Sequence, residues 1–388
     1  MKVAVVGAGI AGAAAAFEMA RQGERAIVFH DLTGSSGLYS GALDLEPWDV
    51  ADYAHPPSGE LLEFSAALGA WELASPARRI ATLEGNVRPA RGSDRALLDL
   101  ERCAGKRVAV VDLERDDWDA PLLARSYAAS AWARQTHTEF VAAPVAVLKK
   151  SFERRISGYD FAALHDAPER AAALQTALRE STVNADAWLF GPWLGVTRPL
   201  ASELSEALGV PVGETSSAPG GAAGARFEHA RDRLLSRMAD VQRARLTRIE
   251  RAGNGYRLEL RDRAPEEFQV VVLATGGVAA GGVALERSFE RRGGTGFRLS
   301  FDAPIALELD AEVVEGISSL ANVDFAERGL HTLLQVGIAT QADGSMPANP
   351  GIFAAGDAVA GRARTALIAA DSGIRAARAA LEYGRRTS

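Results

Sequence analysis

Residues 1–31 constrain this chain most. Residues 2–6 read as a short apolar strand, Gly7-Ala8-Gly9-Ile10-Ala11-Gly12 follows, and a helical run then reaches Gln22. Gly23 breaks the run, and residues 25–29 form a second apolar stretch. Strand, glycine-rich turn, helix and strand make one βαβ unit with the G-x-G-x-x-G spacing of a dinucleotide site. The first glycine permits a tight turn, the second lets a pyrophosphate approach the backbone, and the third lets the helix lie close to the sheet. Free N–H groups and the positive dipole end at the helix start attract the phosphates. Gly7, Gly9, Ile10, Ala11 and Gly12 are therefore predicted cofactor contacts, against the reading of a structural turn in an ordinary α/β domain. A ribose-binding acid is expected about 20 residues further on. His30 stands there, and Asp31 follows. Three readings stay open: Asp31 reaches the ribose from a longer strand, Ser35 and Ser36 do so instead, or Asp31 is a solvated turn residue.

At 388 residues the chain is long enough for two domains, or for one with a large insertion. Its net charge of −7 argues against a general nucleic-acid binder. Cys103 is the one cysteine, which excludes an internal disulfide, a Cys-ligated iron–sulfur cluster and a Cys-based zinc site. His55, His137, His165 and His229 show no metal-ligand spacing, so no metal is expected. The first strand begins at residue 2, and on that ground no signal peptide is expected. No apolar stretch reaches the roughly 20 residues of a membrane helix. The best, residues 270–285, is interrupted by Gly276, Gly277, Gly281 and Gly282. The expected location is cytoplasmic, with any membrane contact made through a partner.

Residues 33–45 are rich in glycine and hydroxyl groups. Such a loop can present donors to a cofactor, which nominates Ser35, Ser36, Gly37, Gly41, Ala42 and Leu43. From 47 to 224 the pattern changes to an inserted α/β region. Strands are predicted at 106–113, 138–148 and 185–190, with helices at 60–73, 121–135, 161–179 and 199–208. Trp188 and Trp193 read as core or interface residues rather than cofactor contacts. Beyond Pro219-Gly220-Gly221 the expected elements are a helix at 226–245, a hairpin turning at Asn254-Gly255, and a strand at 268–273 that runs into Ala274-Thr275-Gly276-Gly277. A strand at 332–338, a short strand closed by Gly356-Asp357 and a helix at 365–383 complete the chain.

Three distant segments share one pattern, a buried strand that stops at glycines. They are the first turn, Ala274-Thr275-Gly276, and Gly356-Asp357. Together they resemble the two-dinucleotide-binding-domain FAD flavoproteins, a class that includes fumarate reductase flavoproteins. The resemblance implies FAD, held at its pyrophosphate by the first turn, beside its adenine half by Ala274, Thr275 and Gly276, and near its ribityl oxygens by Gly356 and Asp357. Ser35-Ser36-Gly37 with Gly41 to Leu45, Val272 to Gly277 with Gly281-Gly282 and Glu286-Arg287, Gln335 to Ile338, and Ile352 to Asp357 resemble the B-type flavoprotein subunit of anaerobic glycerol-3-phosphate dehydrogenase. That resemblance spans nearly the whole chain. It implies oxidation of glycerol 3-phosphate to dihydroxyacetone phosphate, with electrons passed to quinone. It also implies a catalytic flavoprotein subunit and an iron–sulfur membrane-anchoring subunit as partners, placing the chain at the inner membrane face. Where the family has a glycine-rich stretch after Gly-Asp, this chain has Gly361-Arg362-Ala363-Arg364-Thr365.

The expected fold is α/β: a Rossmann-like FAD domain built from residues 1–46, 225–300 and 335–388, a cap at 47–224, and a connecting segment at 301–334. His331 is the candidate base, because it precedes a strand expected beside the flavin, against the reading of an exposed loop histidine. Arg362 and Arg364 are candidates to clamp a small anionic substrate, against the reading of solvated arginines. Two other functions stay open: an FAD-dependent oxidase or dehydrogenase of another small hydroxy or amino acid, and a non-catalytic electron-relay or structural subunit.

Overall fold

A computed structural model describes residues 1–31, 34–44, 57–147, 150–287, 295–305, 307, 309–310 and 336–387. The chain divides into two compact units, Met1–Ser36 with Arg231–Ser388, and Gly37–Ala230. The sequence pattern changes at 46 and 225 instead. The segment expected at 301–334 falls largely outside the described residues.

The first unit is built on a five-stranded parallel sheet. Its strands are β1 (Val3–Val6), β2 (Ile27–His30), β3 (Asp240–Arg243), β4 (Val270–Leu273) and β5 (Ile352–Ala354). Their spatial order is β3-β2-β1-β4-β5. Val3 pairs with Val270, Ala4 with Ile27, Val271 with Ile352, and Asp240 with Ile27. β1 and β4 are buried along their whole length, as strands covered on both faces must be, and read as unbroken apolar runs. Helix α1 (Ile10–Arg21) follows β1, and α2 (Ala366–Thr387) closes the chain. α1 and α2 approach closely: a Cβ built at Gly373 would lie 2.1 Å from the Ala11 carbonyl oxygen. They are also joined by Glu18, fully buried on α1. Its carboxylate accepts from Arg21 Nε at 2.8 Å and from Arg378 Nε of α2 at 2.8 Å.

Several expectations are corrected here. The helix foreseen at 226–245 is Ala222–Met238, after which the chain extends into β3. β3 is an edge strand with three of four residues exposed, so it lacks the apolar signature of its neighbours. The strand foreseen at 268–273 is two: Glu266–Phe268 joins an antiparallel sheet with Leu246–Ala252 and Gly255–Leu260, while Val270–Leu273 enters the parallel one. In the hairpin, Ala252 pairs with Gly255, so the loop residues are Gly253 and Asn254. Gly253 has φ +55°, the sign required of the first loop residue in a II′ turn.

The second unit has its own parallel sheet, in the order Glu139–Pro144, Arg107–Asp112, Ala187–Phe190, Val212–Glu214. All three expected strands are present. The helix foreseen at 60–73 ends at Leu68, where Gly69 adopts φ +75° as a left-handed cap. The chain then forms an antiparallel pair, Trp71–Ala81 with Val87–Asp94, that the sequence did not reveal. Pro76, Arg78 and Arg79 obscure its alternation, and pairing is interrupted between Leu73 and Arg78. The helix expected at 121–135 is broken by the N-cap of Ser130, and that at 161–179 by the N1 proline Pro168. Trp188 and Trp193 are core residues, 5% and 2% exposed. Trp193 packs edge-on against Trp118 and Phe161, and its carbonyl accepts from Nδ1 of the buried His165 at 2.9 Å.

Candidate cofactor site

In open parallel sheets ligands bind at the carboxyl ends of the strands, where the strand order reverses. In the first unit that point lies between β1 and β4. Gly7 follows β1 with φ +112°, and its N–H donates to the Phe29 carbonyl at 2.7 Å. A Cβ at Gly7 would lie 2.1 Å from the Ala274 carbonyl oxygen, and one at Gly12 would lie 1.9 Å from the Gly7 carbonyl oxygen. The turn, the helix start and the end of β4 are therefore packed main chain to main chain. Gly9 differs. A Cβ there would meet only the Ser36 hydroxyl, at 3.0 Å, and otherwise open space.

Gly9 is the N-cap of α1 and supplies no side-chain acceptor to the first N–H groups of the helix. Ser36 Oγ accepts one of them, from Ile10, at 3.0 Å. The next residue back, Ser35, donates to Asp357 Oδ2 at 3.4 Å. Asp357 belongs to the turn after β5, and a Cβ at Gly277 would lie 2.6 Å from its carbonyl oxygen. Gly356 has φ +66°, and a Cβ there would meet Ala11 Cβ at 2.6 Å. The three glycine-ended segments thus meet at one edge of one sheet. Burial pushes the Asp357 carboxyl above its ordinary value, opposed by the Arg364 charge and the Ser35 hydrogen bond. Thr275 Oγ1 is buried and without a hydrogen-bond partner among the described residues. An open cradle over Gly9, N–H donors at a helix start and acceptor oxygens at Asp357 fit a dinucleotide with a polyhydroxyl arm.

Other nominated residues are placed differently. Gly37, Gly41, Ala42 and Leu43 belong to the second unit. There Ala42–Leu43 pairs with Val87–Asp94, and both side chains are buried. Asp31 carries its carboxylate 4.0 Å from Arg243. Arg362 donates to Ser372 Oγ at 3.2 Å and to the Ala342 carbonyl at 2.8 Å. Arg364 donates to the carbonyls of Asp357, Val359 and Val336, at 2.5, 3.0 and 2.6 Å. Both guanidinium groups are thus engaged by oxygens of their own unit. His331 and most of the strand expected at 332–338 lie outside the described residues; Gly337–Ile338 is a short strand paired with Leu309–Asp310.

Two residues that support this edge were not foreseen. Arg231 is 6% exposed and donates to the Ala8 carbonyl at 3.3 Å, bracing the turn. Ser372 accepts the Gly356 N–H at 3.1 Å, fixing the second turn. A Ser-Gly pair inside an alanine-rich helix was the available signal for Ser372. Arg231, one arginine among several on a helix, gave none. No helix among the described residues is long and apolar enough to cross a membrane.

No protein-family model and no curated protein matches the chain. Among solved structures it is similar to the GidA-related protein from Thermus thermophilus, at 13% identity over 98% of both chains with a TM-score of 0.37. It is also similar to glycine oxidase from Geobacillus kaustophilus, at 15% identity over 98% of this chain and 94% of that one, TM-score 0.33. Thioredoxin reductase of T. acidophilum shares 14% identity over 100% of this chain and 99% of that one, TM-score 0.25. With TM-scores below 0.5, none of these likenesses bears on what the chain binds.

Proposed function

We propose that the chain is an FAD-dependent oxidoreductase. The observation that carries this reading is the meeting of the turn of residues 7–12, residues 274–277 and Gly356-Asp357 at the switch point of one parallel sheet. The N–H groups at the start of α1 would hold the pyrophosphate. Asp357 and Ser35 would hold the ribityl hydroxyls, and Thr275 would offer a spare hydroxyl nearby. FAD would supply the hydride acceptor; the protein's part is to hold it, orient the substrate and move a proton. Within this class we favour the activity of anaerobic glycerol-3-phosphate dehydrogenase, with the chain as its B-type flavoprotein subunit, on the motif resemblance. His331 would take the substrate hydroxyl proton, and partner subunits would pass electrons to quinone at the membrane face.

A second reading, an electron relay with no substrate site of its own, is favoured by Arg362 and Arg364. Both are directed at main-chain or serine oxygens rather than left open for an anion. Purified protein separates the readings. Under FAD titration, failure to acquire a bound flavin spectrum rejects both. Anaerobic bleaching by glycerol 3-phosphate supports the dehydrogenase, and slowing in His331→Ala supports its base. Bleaching only through a reduced partner flavoprotein supports the relay.

A further inference from the structure

The residue that closes β2 is an imidazole. His30 pairs in register with Arg243 of β3, and it directly follows Phe29, whose carbonyl accepts the Gly7 N–H at 2.7 Å. This is the strand end at which dinucleotide folds place a carboxylate for the adenosine ribose. We propose that His30 is the adenosine-ribose contact of the site, acting as a neutral hydrogen-bond partner where a carboxylate would act as a double acceptor. The proposal rests on the dinucleotide reading above and adds which residue reads the sugar and how.

Three observations support it. His30 is half-buried, and among the described residues its ring nitrogens form no hydrogen bond. The charged groups facing it are Arg231 and Asp232 from the helix Ala222–Met238, Arg243 from β3, and Asp31 next in the chain. Arg231 is itself held in place by the Ala8 carbonyl and by Asp232 Oδ1 at 2.9 Å. Burial, then Arg231 and Arg243, lower the imidazole pKa from 6.5, against Asp232 and Asp31. Near neutral pH the ring is thus uncharged, with one nitrogen accepting and the other donating. Asp31 follows the end of the strand, and its carboxylate lies 4.0 Å from the Arg243 guanidinium.

The test compares FAD and FMN, which lacks the adenosine half, by flavin-fluorescence titration of the parent, His30→Ala and His30→Glu. Loss of one ribose hydrogen bond should weaken FAD about tenfold in His30→Ala. FMN affinity should stay within about twofold of the parent, by the same logic. His30→Glu should recover FAD affinity. Equal FAD affinity in parent and His30→Ala overturns the assignment, as does equal weakening of FAD and FMN. A parent that binds neither flavin overturns the dinucleotide reading and this proposal together.

Discussion

Gly9→Val separates the two jobs of the first turn. Gly9 has φ −69°, ordinary for any residue, so the backbone accepts a side chain. The new Cβ itself makes one close contact in the protein, 3.0 Å to Ser36 Oγ, relieved if the hydroxyl gives up the Ile10 N–H. One such hydrogen bond is worth about 1 kcal/mol, or a fall in Tm of about 2–4 °C for a unit of this size. The cost to the cofactor is larger. The isopropyl group would fill the open space over the helix start and displace a pyrophosphate from at least two N–H donors, each worth about 1.5–3 kcal/mol to a charged acceptor. FAD affinity should fall by about 100-fold or more. Gly7→Ala is the contrasting variant. Its φ of +112° and a Cβ 2.1 Å from the Ala274 carbonyl oxygen leave no room in the fold, so it should lose the unit's cooperative melt. Thermal melts and FAD titrations of the three proteins decide the matter. A Gly9→Val protein that melts like the parent and binds FAD with parent affinity would refute the assignment of this turn to the pyrophosphate.

Three further outcomes are expected. Burial raises the Glu18 carboxyl, but hydrogen bonds from Arg21, Arg378 and Gln22 more than reverse this, so its folded pKa lies below 4.5. The ion pairs therefore stabilise the fold above that value, and the contribution is lost as pH falls through the lowered folded pKa. Glu18→Gln should cost about 2 kcal/mol at pH 7 by urea denaturation, less than a fully buried pair because both arginines stay part-exposed, and should flatten the acid limb. His165 is 1% exposed, and burial drops its pKa from 6.5 to about 4. The second unit should thus keep its full stability above pH 6.5 and lose about 3 kcal/mol as pH falls to 4; a urea midpoint that does not move between about pH 7.5 and about pH 4.5 would exclude this. Arg364→Gln should lower the Tm by several degrees by freeing three main-chain carbonyls, and a variant that melts normally yet loses substrate-driven flavin reduction would instead mark Arg364 as a substrate group.

How much of this was legible depended on what each residue needed locally. β1, β4 and β5 are short apolar runs that lead into glycine turns, and their burial and turning are written in neighbouring residues. Gly356 and Gly9 lie at one edge of the sheet because strand pairing through β4 brings their turns together, and the common grammar of those turns was the only sequence trace of it. β3 and the antiparallel pair in the second unit were illegible because their pairing partners, not their own side chains, make them strands. Trp71–Ala81 carries a proline and two adjacent arginines, a pattern no strand period announces. The arginines of the 361–365 segment were read as available charges. Whether a guanidinium faces a ligand or a main-chain carbonyl is settled by backbone far away in sequence, here Val336 and Ala342.

The sheet order β3-β2-β1-β4-β5 has a consequence for how the chain is made. β1 and β2 leave the ribosome before the other strands of their sheet, and β4 is synthesised after residue 269 and β5 after residue 351. The second unit, Gly37–Ala230, is complete well before either. Domains tend to fold as they emerge, so the intervening unit should fold while the first two strands wait for β4, which pairs with the open side of β1. Glu18 is the clearest marker of the delay, since its buried carboxylate lacks Arg378 until the last helix arrives. Nascent chains stalled before Ile352 should accordingly show a protease-resistant core from the second unit alone, with no flavin capture. Flavin capture by such a truncated chain would mean that the terminal strand and helix are dispensable to the site.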